Sequence, residues 1–193
     1  MATILIILFN SLFFVYMLLH GVDFINPSAQ SIYNFGGNFG PNIWVKGEYW
    51  RLLASNYIHI GFIHLLFNMW CLHVIGSELE YLIGSRVFIG IYSISGLSGS
   101  VASSFINYDI VGAGASGAIF GLAGTLLSIR YLYNQSLENH DYRYDNSAIL
   151  FFILFNTVYG FSIEGIDNSA HLGGLFSGLI LGYLLHINDY TKG

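Results

Sequence analysis

Six long apolar segments make up most of this chain, and they constrain its fold more than any other feature. A helix that crosses a membrane needs about 20 mostly apolar residues. Charged residues make up only 9% of the sequence, against about 25% in soluble domains. The predicted fold class is therefore an all-α polytopic membrane protein. The predicted membrane-spanning helices, called spans one to six, are residues 2–20, 61–79, 86–106, 115–133, 147–163 and 169–187.

Two of the connections between these spans are long. Residues 134–146 are polar and need only water around them, whereas residues 21–60, the first loop, are rich in aromatic side chains. These side chains include Phe35, Phe39, Trp44, Tyr49 and Trp50. Because aromatic rings favour the membrane–water interface, we predict that the first loop folds and lies there.

We expect residues 1–193 to form one membrane domain, with no extra cytosolic domain. The first apolar segment lacks a basic n-region and a small-residue cleavage site, so we expect it to be retained as a span.

With six spans, both termini share one side of the membrane, and that side holds more Lys and Arg than the other. The positive-inside rule then predicts cytoplasmic termini. The side with the termini would hold Arg86, Arg130, Arg143 and Lys192, and the other side would hold Lys46 and Arg51.

Polar side chains inside a span are costly and are candidates for function. His64 and Asn68 are four residues apart in span two, so they lie on one face of the helix. Hydrogen bonding between helices is the alternative explanation for such a pair.

A hydroxyl group stands among small residues in Gly114-Ala-Ser116-Gly117, at the start of span four. The N-terminus of a helix offers unpaired N–H groups and the positive end of the helix dipole, which suit an oxyanion. Gly117 and Gly121 also form a small-xxx-small pair, so Ser116 has a helix-packing role as its alternative explanation.

Span six begins with His171 and continues with Gly174, Gly178 and Gly182 at every fourth position. If this glycine face packs on the glycine face of span four, His171 comes close to Ser116. An imidazole that contacts a hydroxyl can activate it as a nucleophile. No Asp or Glu lies within spans four or six, and Asp109, Glu164 and Asp167 fall in loops. A Ser–His dyad is therefore the simplest catalytic hypothesis.

These elements together resemble the rhomboid family of intramembrane serine proteases, most closely its bacterial GlpG type with six spans. The resemblance covers essentially residues 1–190, and four motifs follow in the family's order. They are Trp50-Arg51 for WR, His64 and Asn68 for HxxxN, Gly114-Ala-Ser116-Gly117 for GxSG, and Ala170-His171-x-x-Gly174-x-x-x-Gly178 for AHxxGxxxG.

The resemblance implies a role for each matched residue. Ser116 would be the nucleophile and His171 the general base. The oxyanion hole would consist of His64, Asn68 and the Ser116 backbone N–H. Structural support is implied for Trp50, Arg51, Glu80, Gly114, Gly117, Gly121, Phe120, Gly174 and Gly178. Among these, Arg51 would pair with a carboxylate after span two, for which Glu80 is the candidate and Glu78 lies two residues away.

One position departs from the family's close relatives, which often have Tyr where this chain has Phe120. A phenyl ring can still stack on the catalytic His, so we expect activity to be retained. Span five is rich in Phe at positions 151, 152 and 155 and ends at Gly160, and Gly165 follows in the next loop. We interpret span five and residues 161–168 as a gate and lid, with plain lipid contact by the Phe side chains as the alternative.

The expected substrates are transmembrane proteins, cleaved near the outer face of a bacterial inner membrane, with the active site open to the periplasmic side. An inactive rhomboid-like protein that binds membrane helices is the alternative function. A haem or metal protein is disfavoured because the sequence has no HExxH motif and only Cys71 as a thiol. A transporter would show internal repeats, and none is found. We therefore expect no cofactor and no metal. A net charge of −5 argues against nucleic acid as a partner.

Overall fold

The structure is a computed structural model that describes residues 1–137, 143–163 and 165–190, with side chains up to residue 186. Glu164, Lys192 and residues 138–142 of the second long connection lie outside the described residues. The described part of the chain is helical and contains no strand, only an isolated backbone bridge between Asn38 and Gly112. The predicted all-α class is therefore confirmed.

Each of the six apolar segments corresponds to a long helix. The second is continuous from Phe62 to Ile83, and it contains a π-helical turn at Leu72–Gly76. The bounds are α1 Ala2–Leu19, α5 Phe62–Cys71, α6 Ser77–Ile83, α7 Ser85–Ile106, α8 Ser116–Ser136, α9 Ser147–Ser162 and α10 Asn168–Tyr190. The first loop adds three short α-helices, α2 Ala29–Asn34, α3 Gly40–Trp44 and α4 Arg51–Ala54, and the 3₁₀ helix Ser55–Tyr57.

Three helices in the described part of the chain are long and apolar enough to cross a membrane: Ala2–Leu19, Phe62–Ile83 and Ser85–Ile106. The helix Ser147–Ser162 is apolar but shorter. Helices α8 and α10 carry more glycine and polar residues than Ala2–Leu19, and α8 is buried from Gly117 to Leu126. Six membrane crossings stay a prediction.

Helix α8 forms the centre of the fold. All ten of its residues from Gly117 to Leu126 are buried. Its backbone touches that of α10, since a Cβ added at Gly174 would overlap the carbonyl oxygen of Gly117. One turn further on, a Cβ at Gly178 would overlap the carbonyl oxygen of Gly121. The two glycine faces therefore meet, and they leave no room for side chains between the helices.

The first loop covers the start of α8. Asn38 and Gly112 exchange two backbone hydrogen bonds, with N···O distances of 2.7 and 2.9 Å. The N–H of Gly114 donates to the carbonyl of Ser55 at 2.9 Å. These bonds hold the loop that precedes α8 against the first loop, so both lie at the same end of the bundle as Ser116.

Arg51 fixes the first loop through contacts within that loop. Its Nη1 donates to the carbonyl oxygens of Tyr33 at 2.8 Å and Gly37 at 3.1 Å, and its Nε lies 2.5 Å from Glu48. Trp50 packs beside it, with the Arg51 guanidinium 4.8 Å from the ring centroid. A hydrogen bond from Asn42, and then the bond to Arg51, hold the pKa of Glu48 below its usual range.

The expected ion pair between Arg51 and Glu80 is wrong. Glu80 instead accepts hydrogen bonds from the Ala2 and Thr3 backbone N–H groups, at 2.5 and 2.9 Å, and from the hydroxyl groups of Thr3 and Ser85. Distance explains the difference. The helix that carries Glu80 begins at Phe62, next to the first loop, and the 18 residues from Phe62 to Glu80 extend about 27 Å along the helix axis. Glu78 pairs with Arg130.

Candidate active site

Ser116 and His171 are in hydrogen-bonding contact. Ser116 is the first residue of α8, and His171 lies in the first turn of α10. The Ser116 Oγ and the His171 Nε2 are 3.0 Å apart. An imidazole nitrogen at this distance can accept the proton of the hydroxyl group, which is the requirement for a serine nucleophile.

The glycine contacts between α8 and α10 set this distance. Ala170, immediately before His171, places its carbonyl oxygen 3.2 Å from where a Cβ of Gly117 would stand, and 2.6 Å from the Cβ position of Gly99. Gly174 follows His171 by one turn and contacts Gly117 directly. His171 therefore begins a helix that is held by backbone contacts on the same face.

Phe120 lies one turn after Ser116, and its ring stacks on the imidazole of His171. The ring centroids are 4.3 Å apart and the ring planes differ by 7°. This is the contact that we expected a phenyl ring to keep. It restricts rotation of the imidazole while leaving both ring nitrogens at the edge of the stack.

Asp167 is a residue near the site that sequence reasoning missed as a contributor. Its Oδ1 accepts the backbone N–H of Ala170 at 3.0 Å, which is the geometry of a helix N-cap. Its Oδ2 lies 2.5 Å from the hydroxyl oxygen of Ser103 on α7. Asp167 precedes a helix start by one residue, which is the available sequence signal for a cap. In the described part of the chain, the buried Nδ1 of His171 has no hydrogen-bond partner.

His64 faces Ser116 across Gly114. A Cβ built at Gly114 would stand 2.9 Å from His64 Nε2 and 3.7 Å from Ser116 Oγ. Gly114 has φ +138°, a conformation that favours glycine. The missing side chain therefore leaves a space with the imidazole on one side and the hydroxyl group on the other.

Asn68 is buried on the same helix as His64. Its Nδ2 donates to the carbonyl of His64 at 2.8 Å, and its Oδ1 has no hydrogen-bond partner among the described residues. One of its two N–H bonds is thus already used within the helix. The Ser116 backbone N–H belongs to the first turn of α8, whose N–H groups lack partners within the helix.

His59 packs beside His64, with ring centroids 5.3 Å apart. It is completely buried, and burial lowers the pKa of its imidazole to about 3. The ring is therefore neutral at physiological pH, and it adds no charge beside the candidate site.

A polar cavity of about 20 Å³ opens beside Ser116, which is room for about one water molecule. Its walls come from the first loop, α7 and the segments that precede α8 and α10. The polar side chains that line it are Asn38, Ser55, Ser100, Ser103, Ser116 and Asp167.

The Rhomboid domain family matches residues 46–188, which contain Ser116, His171, His64 and Asn68. The chain belongs to the rhomboid family. It is a multi-pass membrane protein, as rhomboid proteins are.

Three relatives show how widely this domain occurs. The chain is 39% identical over 153 residues to rhomboid protease GluP of Bacillus subtilis (strain 168). This alignment covers 79% of this chain and 29% of GluP. It is 37% identical to RHOMBOID-like protein 7 of Arabidopsis thaliana, over 85% of this chain and 51% of that protein. RHOMBOID-like protein 6, mitochondrial, from the same plant is 35% identical over 84% of this chain and 52% of its own length. The chain thus spans at most about half of these relatives.

The arrangement around Ser116 suits acyl transfer better than metal chemistry. Among the described side chains, which end at residue 186, no three of His, Cys, Asp or Glu come together as metal ligands. The site instead contains a hydroxyl, an imidazole that contacts it, and the His64 ring on the other side of Gly114.

Proposed function

We propose that this chain is an intramembrane serine endopeptidase that cleaves transmembrane helices of other membrane proteins through a Ser–His dyad and an acyl-enzyme. The observation that carries the proposal is the 3.0 Å contact between Ser116 Oγ and His171 Nε2 at the start of a buried helix. Membership of a family that includes a protein named as a protease supports it.

The reaction proceeds in two halves. His171 Nε2 takes the proton of Ser116 while Oγ bonds to the scissile carbonyl carbon. The tetrahedral intermediate then collapses, the C–N bond breaks, and His171 returns the proton to the leaving amine. A water molecule attacks the ester in the same way, again with His171 as base, and frees the serine.

We propose that the oxyanion of the intermediate develops beside Gly114, with His64, Asn68 and the Ser116 N–H as its donors. One such donor contributes about 2.7–4 kcal/mol to the transition state. His64 is already directed at that space, whereas Asn68 has one N–H bonded within its own helix.

Hydrolysis requires water, which the lipid core does not supply. The polar cavity beside Ser116 supports the proposal because it gives water a place next to the nucleophile. A transmembrane substrate also has its carbonyls bonded within its own helix, so the scissile segment has to be extended before attack. We expect cleavage near small or helix-breaking residues close to the outer interface.

Access to the site involves α9. Its Phe151 and Phe155 are more than half exposed, and Phe152 contacts Phe120 with ring centroids 5.3 Å apart. We propose that α9 and the segment 161–168 form the gate and lid. A crosslink between α9 and the helix Phe62–Ile83 tests this, and unchanged cleavage in the crosslinked enzyme would exclude the gate.

In the proposed orientation, both termini are cytoplasmic and Ser116 faces the opposite side, the periplasm of a bacterial inner membrane. The first loop and the loop before α8 share that end with Ser116. Cysteine accessibility at Lys46→Cys and at Arg86→Cys in intact cells tests the assignment, because only the former is expected to react from outside.

The function is tested by cleavage of a single-span substrate in liposomes by the wild type, Ser116→Ala and His171→Ala. Ser136→Ala is the matched control, because this serine is exposed at the other end of α8, where its hydroxyl donates to the carbonyl of Tyr133. We expect the wild type and the control to cleave and both site variants to be inactive. Binding without cleavage of several substrates by the wild type would favour the inactive helix-binding alternative.

A further inference from the structure

The ring of His64 has two nitrogens in different environments. Nε2 faces the space beside Gly114 and Ser116, as described above. Nδ1 lies 3.2 Å from the backbone nitrogen of Ile60, whose N–H donates to it. The second contact determines which nitrogen carries the proton.

A backbone N–H can only donate, so the nitrogen that it contacts has to be an unprotonated acceptor. A protonated Nδ1 would set two N–H groups against each other. The imidazole is then neutral, and its single proton resides on Nε2. His64 therefore points an N–H bond at the space beside Ser116 before any substrate is bound.

The Ile60 N–H is itself held by a tight turn. Gly61 follows with φ +82° and ψ 166°, and its own N–H donates to the carbonyl of His59 at 3.1 Å. A Cβ at Gly61 would overlap the carbonyl oxygen of Ile25. The turn therefore accepts only glycine, for conformational and for steric reasons.

The segment Phe24–Ile25 presses on this turn from the first loop. The Phe62 N–H donates to the carbonyl of Phe24 at 2.8 Å, and the two rings stack with centroids 4.9 Å apart. Asp23 orders the segment in turn, since its Oδ1 accepts the N–H groups of Ile25 and Asn26 at 2.8 and 2.7 Å. The contacts thus run without a gap from Asp23 to the His64 ring.

We propose that the turn at Ile60–Gly61, clamped by Phe24–Ile25, is a positioning element that fixes His64 in the tautomer with its proton on Nε2. Its backbone acts through His64 and touches no reacting atom. The catalytic consequence, a donor prepared for the oxyanion, rests on the proposed function. The tautomer itself does not depend on it.

The first test reads the tautomer directly, by ¹⁵N NMR of histidine-labelled protein in liposomes without substrate. The His64 resonances are assigned by their loss in His64→Asn. We expect Nδ1 to be unprotonated and Nε2 protonated in the wild type. Gly84→Ala is the matched control, because Gly84 has φ +77° with nothing within 4 Å of its Cβ position, whereas the Cβ position of Gly61 is occupied.

We expect Gly61→Ala to show a mixture of the two tautomers and Gly84→Ala to match the wild type. In the cleavage assay, kcat of Gly61→Ala falls at least about tenfold with KM little changed, because loss of one oxyanion donor acts on the transition state. A wild-type spectrum with the proton on Nδ1, or a folded Gly61→Ala with wild-type tautomer and kcat, would overturn the proposal.

A second pair of variants keeps the test decisive if Gly61→Ala does not fold. Ile60→Pro removes the N–H, whereas Ile60→Ala keeps it and removes only the side chain. We expect the tautomer to change in the first and not in the second. If the wild type cleaves nothing but keeps the Nε2 proton, the proposed function fails and the tautomer assignment stands.

Discussion

Two arrangements meet at Ser116, the contact between α8 and α10 and the turn at Ile60–Gly61 that holds His64, and different forces hold them. The first brings two helix backbones together through Gly117, Gly121, Gly174 and Gly178. The second is a set of hydrogen bonds between loops, of which the Ile60 N–H on His64 is the last. Close packing of two helix backbones therefore positions the nucleophile and the base. On the opposite side of the site, backbone hydrogen bonds position His64.

This difference predicts how each side fails. A backbone contact without free space cannot accept one added methyl group, so a change there acts on folding and on catalysis together. A hydrogen bond can be lost while the helices remain packed, so a change there acts mainly on catalysis.

Gly174→Ala is expected to have the largest effect, because its Cβ would overlap the carbonyl oxygen of Gly117 one turn after His171. Overpacking costs about 1–3 kcal/mol of stability. A shift of about 1 Å between Ser116 and His171 can lower the cleavage rate about 100-fold. The melting temperature in detergent and the cleavage rate measure both effects.

The control is Gly90→Ala on α7, where nothing lies within 4 Å of the Cβ position. We expect its melting temperature to stay the same or rise slightly, since Ala is the better helix former. Equal behaviour of the two variants would refute the idea that contact between backbones sets the site.

Glu80→Gln tests a polar contact far from Ser116. The carboxylate oxygens accept hydrogen bonds from the N–H groups of Ala2 and Thr3. In Gln, one of these oxygens is replaced by an NH2 group, which cannot accept a hydrogen bond from either N–H. A buried group left unsatisfied costs about 1–3 kcal/mol, so the free energy of unfolding falls by that amount while kcat of the folded enzyme is kept.

Glu78→Gln is the control for this change, because the pair of Glu78 with Arg130 is partly exposed. Exposed ion pairs contribute about 0–1 kcal/mol, so the loss is smaller. A large fall in kcat for Glu80→Gln would mean that the two ends of the bundle are coupled.

Phe120→Leu removes the ring that stacks on His171 and keeps an apolar side chain of similar bulk. An aromatic pair contributes about 0.5–1.5 kcal/mol beyond buried area, so kcat/KM falls roughly two- to tenfold. Phe120→Tyr keeps the ring and is expected to cleave at the wild-type rate. If Leu and Tyr behave alike, the stack does not orient the imidazole.

Glu48→Gln is expected to have the smallest effect, and it depends on pH. The pKa of Glu48 is lowered in the folded protein by Asn42 and Arg51. The carboxylate therefore stabilises the fold at pH above its ordinary pKa, and this stability is lost as the pH falls through the lower, folded-state value. The melting temperatures of wild type and variant, measured against pH, should differ at neutral pH and converge in acid. A difference that widened in acid would contradict this assignment.

Much of this arrangement could be predicted from the sequence, because its signals are local or periodic. Runs of apolar residues predict the long helices, and glycine at every fourth position predicts which faces of α8 and α10 meet. The Ser116–His171 contact follows once those faces are paired.

Other contacts depend on the fold and on distances that no local pattern contains. The Arg51–Glu80 pair was wrong because the two residues lie at opposite ends of the bundle, whereas Glu48 lies three residues from Arg51. The roles of Ile60 and Gly61 arise from backbone groups that contact Ile25 and His64, and side-chain patterns do not record backbone contacts.

A fluorophosphonate probe, followed by mass spectrometry of the peptides, shows directly whether Ser116 is a nucleophile activated by His171. We expect one covalent adduct, on Ser116, in the wild type and in Ser136→Ala, and no adduct at that position in Ser116→Ala or His171→Ala. An enzyme that cleaves its substrate while Ser116 stays unlabelled, or whose labelling survives His171→Ala, would contradict the dyad.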